Sequence, residues 1–219
     1  MEKTVIFDMD GVIFDTEQLS QTCWREVAAA EKMAGMDEFF LLCIGMNKER
    51  TKELYESRYS HPSFAVFDQK TTDLFFAHIE QHGMPMKPGV VELLEFLKRH
   101  SFKIGLASST RKAVVTSQLA SRDLLAYFQV VIGGDMVKKS KPEPDIFLRA
   151  CKEIGTEPAA AYAVEDSYNG IIAAGTAGMK AIMVPDMVAP DEEIRNRAHC
   201  VLSSLDEVQE FLKEEYNIG

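Results

Sequence analysis

Asp8 and Asp10 stand one residue apart in the segment Phe7-Asp8-Met9-Asp10-Gly11. Two like charges at that spacing either raise the pKa of one carboxyl or share a cation. Farther along, Ser108-Ser109-Thr110 offers hydroxyls and backbone N–H groups, Lys141 a compact positive charge before Pro142, and Glu165-Asp166 a second pair of carboxylates. A helix starting after the serines would favour an anion at its N-terminus. A lysine can hold a phosphate as a point charge and shield neighbouring carboxylates. Asp8, Glu165 and Asp166 supply the hard oxygen donors that magnesium takes together with waters and substrate phosphate oxygens. Taken singly, each cluster has an ordinary structural meaning, as a helix cap, a turn or solvated surface. Their chemistry depends on the elements that position them.

Thr4-Val5-Ile6-Phe7 is a continuous β-prone run that stops at Asp8, with Gly11 following in a tight turn. Apolar runs of the same kind recur at residues 102–107, 130–132, 161–164 and 181–184, as expected of buried strands in a parallel sheet. Between them the period becomes helical. Val90, Leu93, Leu94 and Leu97 share one face, as do Ile146, Phe147, Ala150, Cys151 and Ile154, and Val208 with Phe211 and Leu212. Such alternation predicts an α/β fold, a doubly wound, Rossmann-like and mostly parallel sheet with helices on both faces. In that fold ligands bind beyond the carboxyl ends of the strands, and all four polar clusters fall at predicted strand ends or in the loops after them.

Residues 15–84 differ. They contain no convincing strand, and helical patterns appear at Leu19, Cys23, Trp24 and Val27, at Leu54 and Tyr55, and at Leu74, Phe75, Ala77 and Ile79. The stretch ends where Gly83, Pro85, Pro88 and Gly89 punctuate the chain. The reading is an α/β core made of residues 1–14 and 85–219, interrupted by a helical domain at 15–84. Trp24, with its apolar neighbours, is expected in the core of that insertion.

The chain of 219 residues has a net charge of −10, which disfavours nucleic-acid backbones and anionic membranes as partners. Its four cysteines form no CxxC pair and no His stands at metal-ligand spacing, so neither disulfides nor a zinc site is expected. The first eight residues read as strand rather than signal peptide, and no apolar run reaches the length of a membrane span. The composition reads as that of a reduced, cytoplasmic protein, and nothing in it requires more than a monomer.

The four motifs in this order, Asp8-Met9-Asp10-Gly11, Ser108, Lys141-Pro142 and Glu165-Asp166, resemble the haloacid dehalogenase superfamily over nearly the whole chain. Asp15-Thr16-Glu17, Asp145-Ile146-Phe147 and Ser167 with Asn169-Gly170 are similar to its branch of beta-phosphoglucomutase and sugar-phosphate phosphatases. The resemblance implies a Mg²⁺-dependent enzyme acting on a small phosphorylated metabolite. Asp8 would be the nucleophile that becomes an aspartyl-phosphate, and Asp10 the general acid and then base. Asp8, Asp166 and the Asp10 carbonyl would ligate the metal, with Glu165 a further ligand. Ser108, Ser109 and Lys141 would hold the phosphoryl oxygens. The helical insertion would be a cap with hinges near residues 14–16 and 84–89, and Lys48 and Arg111 are candidate substrate contacts as well as ordinary surface charges.

Asp10 favours phosphoryl transfer over dehalogenation, since halide leaves without a proton. The mutase carries a cap histidine and arginine. At the matching positions, aligned from Asp15-Thr16 and Gly45-Met46, this chain has Ser20 and Lys48, which favours a phosphatase over a phosphomutase. A phospho-accepting receiver, the non-enzymatic alternative, leaves the insertion and Glu165-Asp166 unexplained. The local charge balance also explains how an acidic chain can accept an anion. Asp8, Asp10, Glu165 and Asp166 with Lys141 and one Mg²⁺ come to about −1, and to about 0 with Asp10 protonated.

Overall fold

The computed structural model describes residues 3–44, 46 and 48–218, and divides the chain into two compact units. One comprises Met1–Asp15 and Met86–Gly219, the other Thr16–Pro85. Gly45, used above to align the insertion, lies outside the described residues.

The first unit is built on six parallel strands: β1 (Thr4–Phe7), β2 (Lys103–Ser108), β3 (Val130–Gly133), β4 (Ala161–Glu165), β5 (Lys180–Met183) and β6 (Cys200–Val201). Their spatial order is β3-β2-β1-β4-β5-β6. The chain therefore winds outward from β1 in one direction and then crosses over to wind in the other, and β1 lies at the switch point where doubly wound sheets open a crevice. All four residues of β1 are buried, as a strand paired on both edges and covered on both faces requires. The doubly wound α/β fold expected from the alternation is the fold observed.

Side-chain alternation divides the sheet into two faces. Ile6, Ala107, Ile132, Ala163, Ala181 and Met183 form one core with Ile146, Phe147, Ala150 and Cys151 of a helix at Asp145–Ile154 and with Ile171 and Ala174 of another at Tyr168–Thr176. On the opposite face Tyr162 meets Phe211 and Tyr216 at the C-terminal end, where the helix Leu205–Glu215 packs. Helices at Val90–Arg99, Lys112–Ser121 and Glu192–Arg197 complete the unit.

Strand boundaries shift by a residue from the sequence reading. Phe102 precedes β2, while Ser108, Gly133 and Glu165 are the last residues of their strands rather than the first beyond them. The reason is that backbone pairing continues past the apolar run: Ser108 pairs with Gly133 and Glu165 with Met183. Two residues are too few for β6 to show a period, and it was not anticipated.

The second unit consists, among its described residues, of helices at Thr16–Ala30, Met36–Cys43, Lys48–Arg58 and Phe64–His82, with no strand. Its core gathers Val27, Phe39, Tyr55, Phe64 and Phe67. Trp24 packs against that core, its ring 5.1 Å from Phe40 and 5.2 Å from Phe67. The helix at Met36–Cys43 was not foreseen, and the last helix buries Phe64, Phe67 and Thr71 while leaving Ala77 exposed. No helix among the described residues is long and apolar enough to cross a membrane.

Candidate active site

The end of β1 supplies the first carboxylate. Asp8 continues the ladder, its N–H donating to the Val164 carbonyl at 2.9 Å, so its backbone is fixed by the same pairing that holds β1 to β4. The chain then turns back, with the Ile13 N–H bonded to the Met9 carbonyl and the Gly11 N–H to Phe14. Gly11 has φ +79°, and a β-carbon there would collide with the Asp166 carboxylate. Only glycine combines that backbone conformation with so close an approach of the turn to Asp166.

Glu165 and Asp166 arrive from β4, next to β1. Glu165 is fully buried, an arrangement tolerated only because its oxygens are met. Oε1 accepts from Lys141 Nζ at 2.5 Å and Oε2 from the Ser167 hydroxyl at 3.1 Å. The Ser167 hydroxyl also accepts the Gly170 N–H at 3.0 Å, which caps the helix Tyr168–Thr176. Gly170 backs directly onto Glu165, and a side chain there would overlap the carboxyl group. That contact is a physical reason for the glycine of the Asn169-Gly170 motif.

Lys141 lies among these groups, its side chain 7% exposed. Its three N–H groups go to Asp8 Oδ1 at 2.5 Å, Glu165 Oε1 at 2.5 Å and the Ala107 carbonyl at 3.1 Å. The ammonium also lies 5.0 Å from the centre of the Phe147 ring. The nearest available carboxylate oxygens of Asp8, Glu165 and Asp166 all fall within 4.8 Å of one another. Three carboxylates this close, mostly buried, with one ammonium to balance them, suit a divalent cation of hard-oxygen preference.

From β2, Ser108 is buried and its hydroxyl accepts the Thr110 N–H at 3.1 Å. The Thr110 hydroxyl in turn donates to Asp10 Oδ2 at 3.2 Å, orienting that carboxyl from the neighbouring strand end. Ser109 and Arg111 are exposed in the same turn, with Arg111 at the N-cap of the helix Lys112–Ser121. Thus Asp8, Glu165, Asp166 and Lys141 converge, and Asp10 is tied to the Ser108–Thr110 turn. Lys48 belongs to the helical unit, where it begins the helix Lys48–Arg58 and pairs with Asp68 at 2.7 Å. Thr110 and Ser167 were read as cluster members without these roles, because a hydroxyl's partner across two strands leaves no mark on local spacing.

The electrostatics follow from this crowding. Burial alone would lower the Lys141 pKa, but the charges of Asp8 and Glu165 outweigh it and hold the lysine above its ordinary range. Burial pushes the Glu165 carboxyl up to about 7; Lys141 pulls it down and Asp8 pushes it up. Asp166 stands well above the usual carboxylate range, through burial first and then the charges of Glu165, Asp8 and Asp186. In the absence of a cation, the folded chain therefore binds protons that the unfolded chain has released between pH 4.5 and 7. Stability from this source is present at the acid end of that window and lost as the pH rises through it, by about 3 kcal/mol. Thermal melts in chelator should record the decline, and Glu165→Gln, neutral throughout, should flatten it. An identical slope in both proteins would contradict this origin.

A paired aspartate after β1 at the switch point of a doubly wound sheet, and a lysine joining it to a second carboxylate pair, define the class. The chain belongs to the haloacid dehalogenase-like hydrolase family, whose profile matches residues 5–184, and is an enzyme of that family. It is similar to a phosphorylated carbohydrates phosphatase of Thermotoga maritima, 33% identical over 181 residues that cover 82% of this chain and 83% of that protein. It is also similar to a beta-phosphoglucomutase of Bacillus subtilis, 31% identical over 216 residues and 94% of each chain. The crystal structure of CbbY from Rhodobacter sphaeroides in complex with phosphate matches with a TM-score of 0.69 at 28% identity, covering 95% of this chain and 96% of that one. The resemblance read from the four motifs is borne out.

Proposed function

We propose that this enzyme is a Mg²⁺-dependent phosphatase of small phosphate monoesters, with sugar phosphates as the substrate class, working through an aspartyl-phosphate on Asp8. The observation that carries the reading is the meeting of Asp8, Lys141, Glu165 and Asp166 at the carboxyl ends of β1 and β4. Relatives that include a phosphorylated carbohydrates phosphatase support the substrate class.

An Asp8 oxygen attacks phosphorus while the bond to the ester oxygen breaks, and Asp10 gives its proton to the departing alkoxide. Asp10, now a carboxylate, takes a proton from a water that attacks the phosphorus of the aspartyl-phosphate. Inorganic phosphate leaves and the Asp8 carboxylate is restored. Thr110, bonded to Asp10 Oδ2, keeps that acid in one orientation through both steps. Asp8, Asp166 and the Asp10 carbonyl would hold Mg²⁺, with Glu165 as a further ligand, and the ion when bound supplies charge stabilisation to the phosphoryl oxygens. Ser108, the N–H of Ser109 and Lys141 neutralise the same oxygens from the protein side, with Arg111 as an additional contact. The helical unit takes the part of a substrate-recognising cap, to which Lys48 contributes.

A phosphomutase is the second reading, favoured by the similarity to beta-phosphoglucomutase over nearly the whole chain. Against it stand Ser20 and Lys48, where a mutase has histidine and arginine. Serine does not titrate as imidazole does, and lysine lacks the bidentate fork of arginine. Release of inorganic phosphate from 4-nitrophenyl phosphate and from a panel of sugar phosphates tests the phosphatase reading. Turnover is expected with Mg²⁺ and is expected to vanish in chelator, because uncompensated carboxylates repel the substrate. Phosphorus NMR on beta-glucose 1-phosphate primed with the bisphosphate separates the two activities, and accumulation of glucose 6-phosphate without free phosphate would refute the phosphatase.

A further inference from the structure

Asp186 was not among the residues singled out in the sequence, yet it lies in the loop after β5, beside the end of β4. Two residues before it, the Val184 N–H donates to the Glu165 carbonyl at 2.7 Å and fastens that loop to the strand bearing the carboxylate pair. The Asp186 side chain is 6% exposed. Its Oδ1 accepts from Lys87 Nζ at 2.7 Å, and Lys87 lies 3.6 Å from Asp15 as well. Its Oδ2 is buried and has no hydrogen-bond partner among the described residues.

A buried carboxylate oxygen without a donor is costly, and its persistence calls for a donor supplied from outside the chain. Asp186 is also close enough for its charge to act on Asp166, behind the effects of burial, Glu165 and Asp8. Mg²⁺ keeps several of its waters when held by few carboxylates, and those waters are strong donors. Groups that bond to such waters tune affinity without touching the ion.

We propose that Asp186 is an outer-sphere carboxylate of the metal centre, its Oδ2 accepting a hydrogen bond from hydration water of the cation held by Asp8 and Asp166. The assignment rests on the Mg²⁺ reading above. In this assignment Asp186 touches neither the substrate nor the reacting atoms, so it is a positioning residue and not a catalytic one.

The test is calorimetric titration of the purified full-length protein with Mg²⁺ alone, without substrate. Asp186→Asn should bind Mg²⁺ about tenfold more weakly than the unsubstituted chain. Lys87→Met, which leaves Asp186 in place and removes a nearby positive charge, should bind it as tightly or more tightly. Asp186→Ser gives the same expected loss and serves if the asparagine variant does not fold. Affinity within twofold of the unsubstituted chain in an Asp186 variant would overturn the proposal. So would an equal loss in Lys87→Met, which would mark a general loosening of the loop. Absence of Mg²⁺ binding by the unsubstituted chain would instead overturn the metal reading on which this one stands.

Discussion

Asp8→Asn should fold normally and lose turnover of 4-nitrophenyl phosphate by about four orders of magnitude or more, measured at saturating Mg²⁺. The side chain keeps its size, and Lys141 keeps its bonds to Glu165 and the Ala107 carbonyl, so the site is not left with an unpaired ammonium. An amide oxygen is a far weaker nucleophile than a carboxylate, and no covalent intermediate forms at a useful rate. Saturating metal separates this chemical loss from the weaker cation binding expected with one carboxylate fewer. A melting temperature near that of the unsubstituted chain would show that the loss is not one of folding. Turnover within tenfold of the unsubstituted enzyme would remove Asp8 from the mechanism.

Lys141→Met should be damaging in a different way, with stability and activity both affected. The ammonium is buried and spends its three N–H groups on two carboxylates and a carbonyl. Methionine fills comparable volume against Phe147 but leaves Asp8 and Glu165 facing each other with Asp166 nearby. Removing one member of a buried ion pair typically costs about 3–5 kcal/mol. For a chain of this length that is a fall in melting temperature on the order of 10 °C, read in chelator at neutral pH. Added Mg²⁺ should recover part of the stability, because it screens the same carboxylates. Turnover should remain lower by about 10³-fold even with the metal, since the charge opposite the phosphoryl oxygens is gone. An unchanged melting temperature in chelator would mean that Lys141 does not balance these carboxylates.

Much of this site could be read before any coordinates, for a specific physical reason. Thr4–Phe7 is β-prone and buried at every position because β1 is covered on both faces, and such a run has to stop where the strand leaves the sheet, at Asp8. The same holds for β4 before Glu165 and Asp166. The strand ends exposed the chemistry because parallel sheets make the change from apolar to polar abrupt. Other features were closed to that reasoning. Lys87 and Asp186 are 99 residues apart, and their ion pair exists only because the fold brings residue 87 beside the loop after β5. Val184-Pro185-Asp186 looks like an ordinary strand exit. Gly170 was recognised as part of a motif, but its reason, the carboxyl group of Glu165 packed against it, is a tertiary contact. The helix Met36–Cys43 escaped because two adjacent phenylalanines, two leucines and only eight residues blur a helical period.

The central claim is that Asp8 carries the phosphoryl group in mid-reaction. The most direct measurement mixes the enzyme with Mg²⁺ and ³²P-labelled acetyl phosphate, quenches in acid within the first turnovers, and maps the label by peptide mass spectrometry. The expected result is one phosphoryl group on the peptide containing Asp8, released by hydroxylamine as an acyl phosphate is, and absent from Asp8→Asn and from enzyme in chelator. Turnover of acetyl phosphate with no label on that peptide, or a hydroxylamine-resistant label on Ser108, would contradict it.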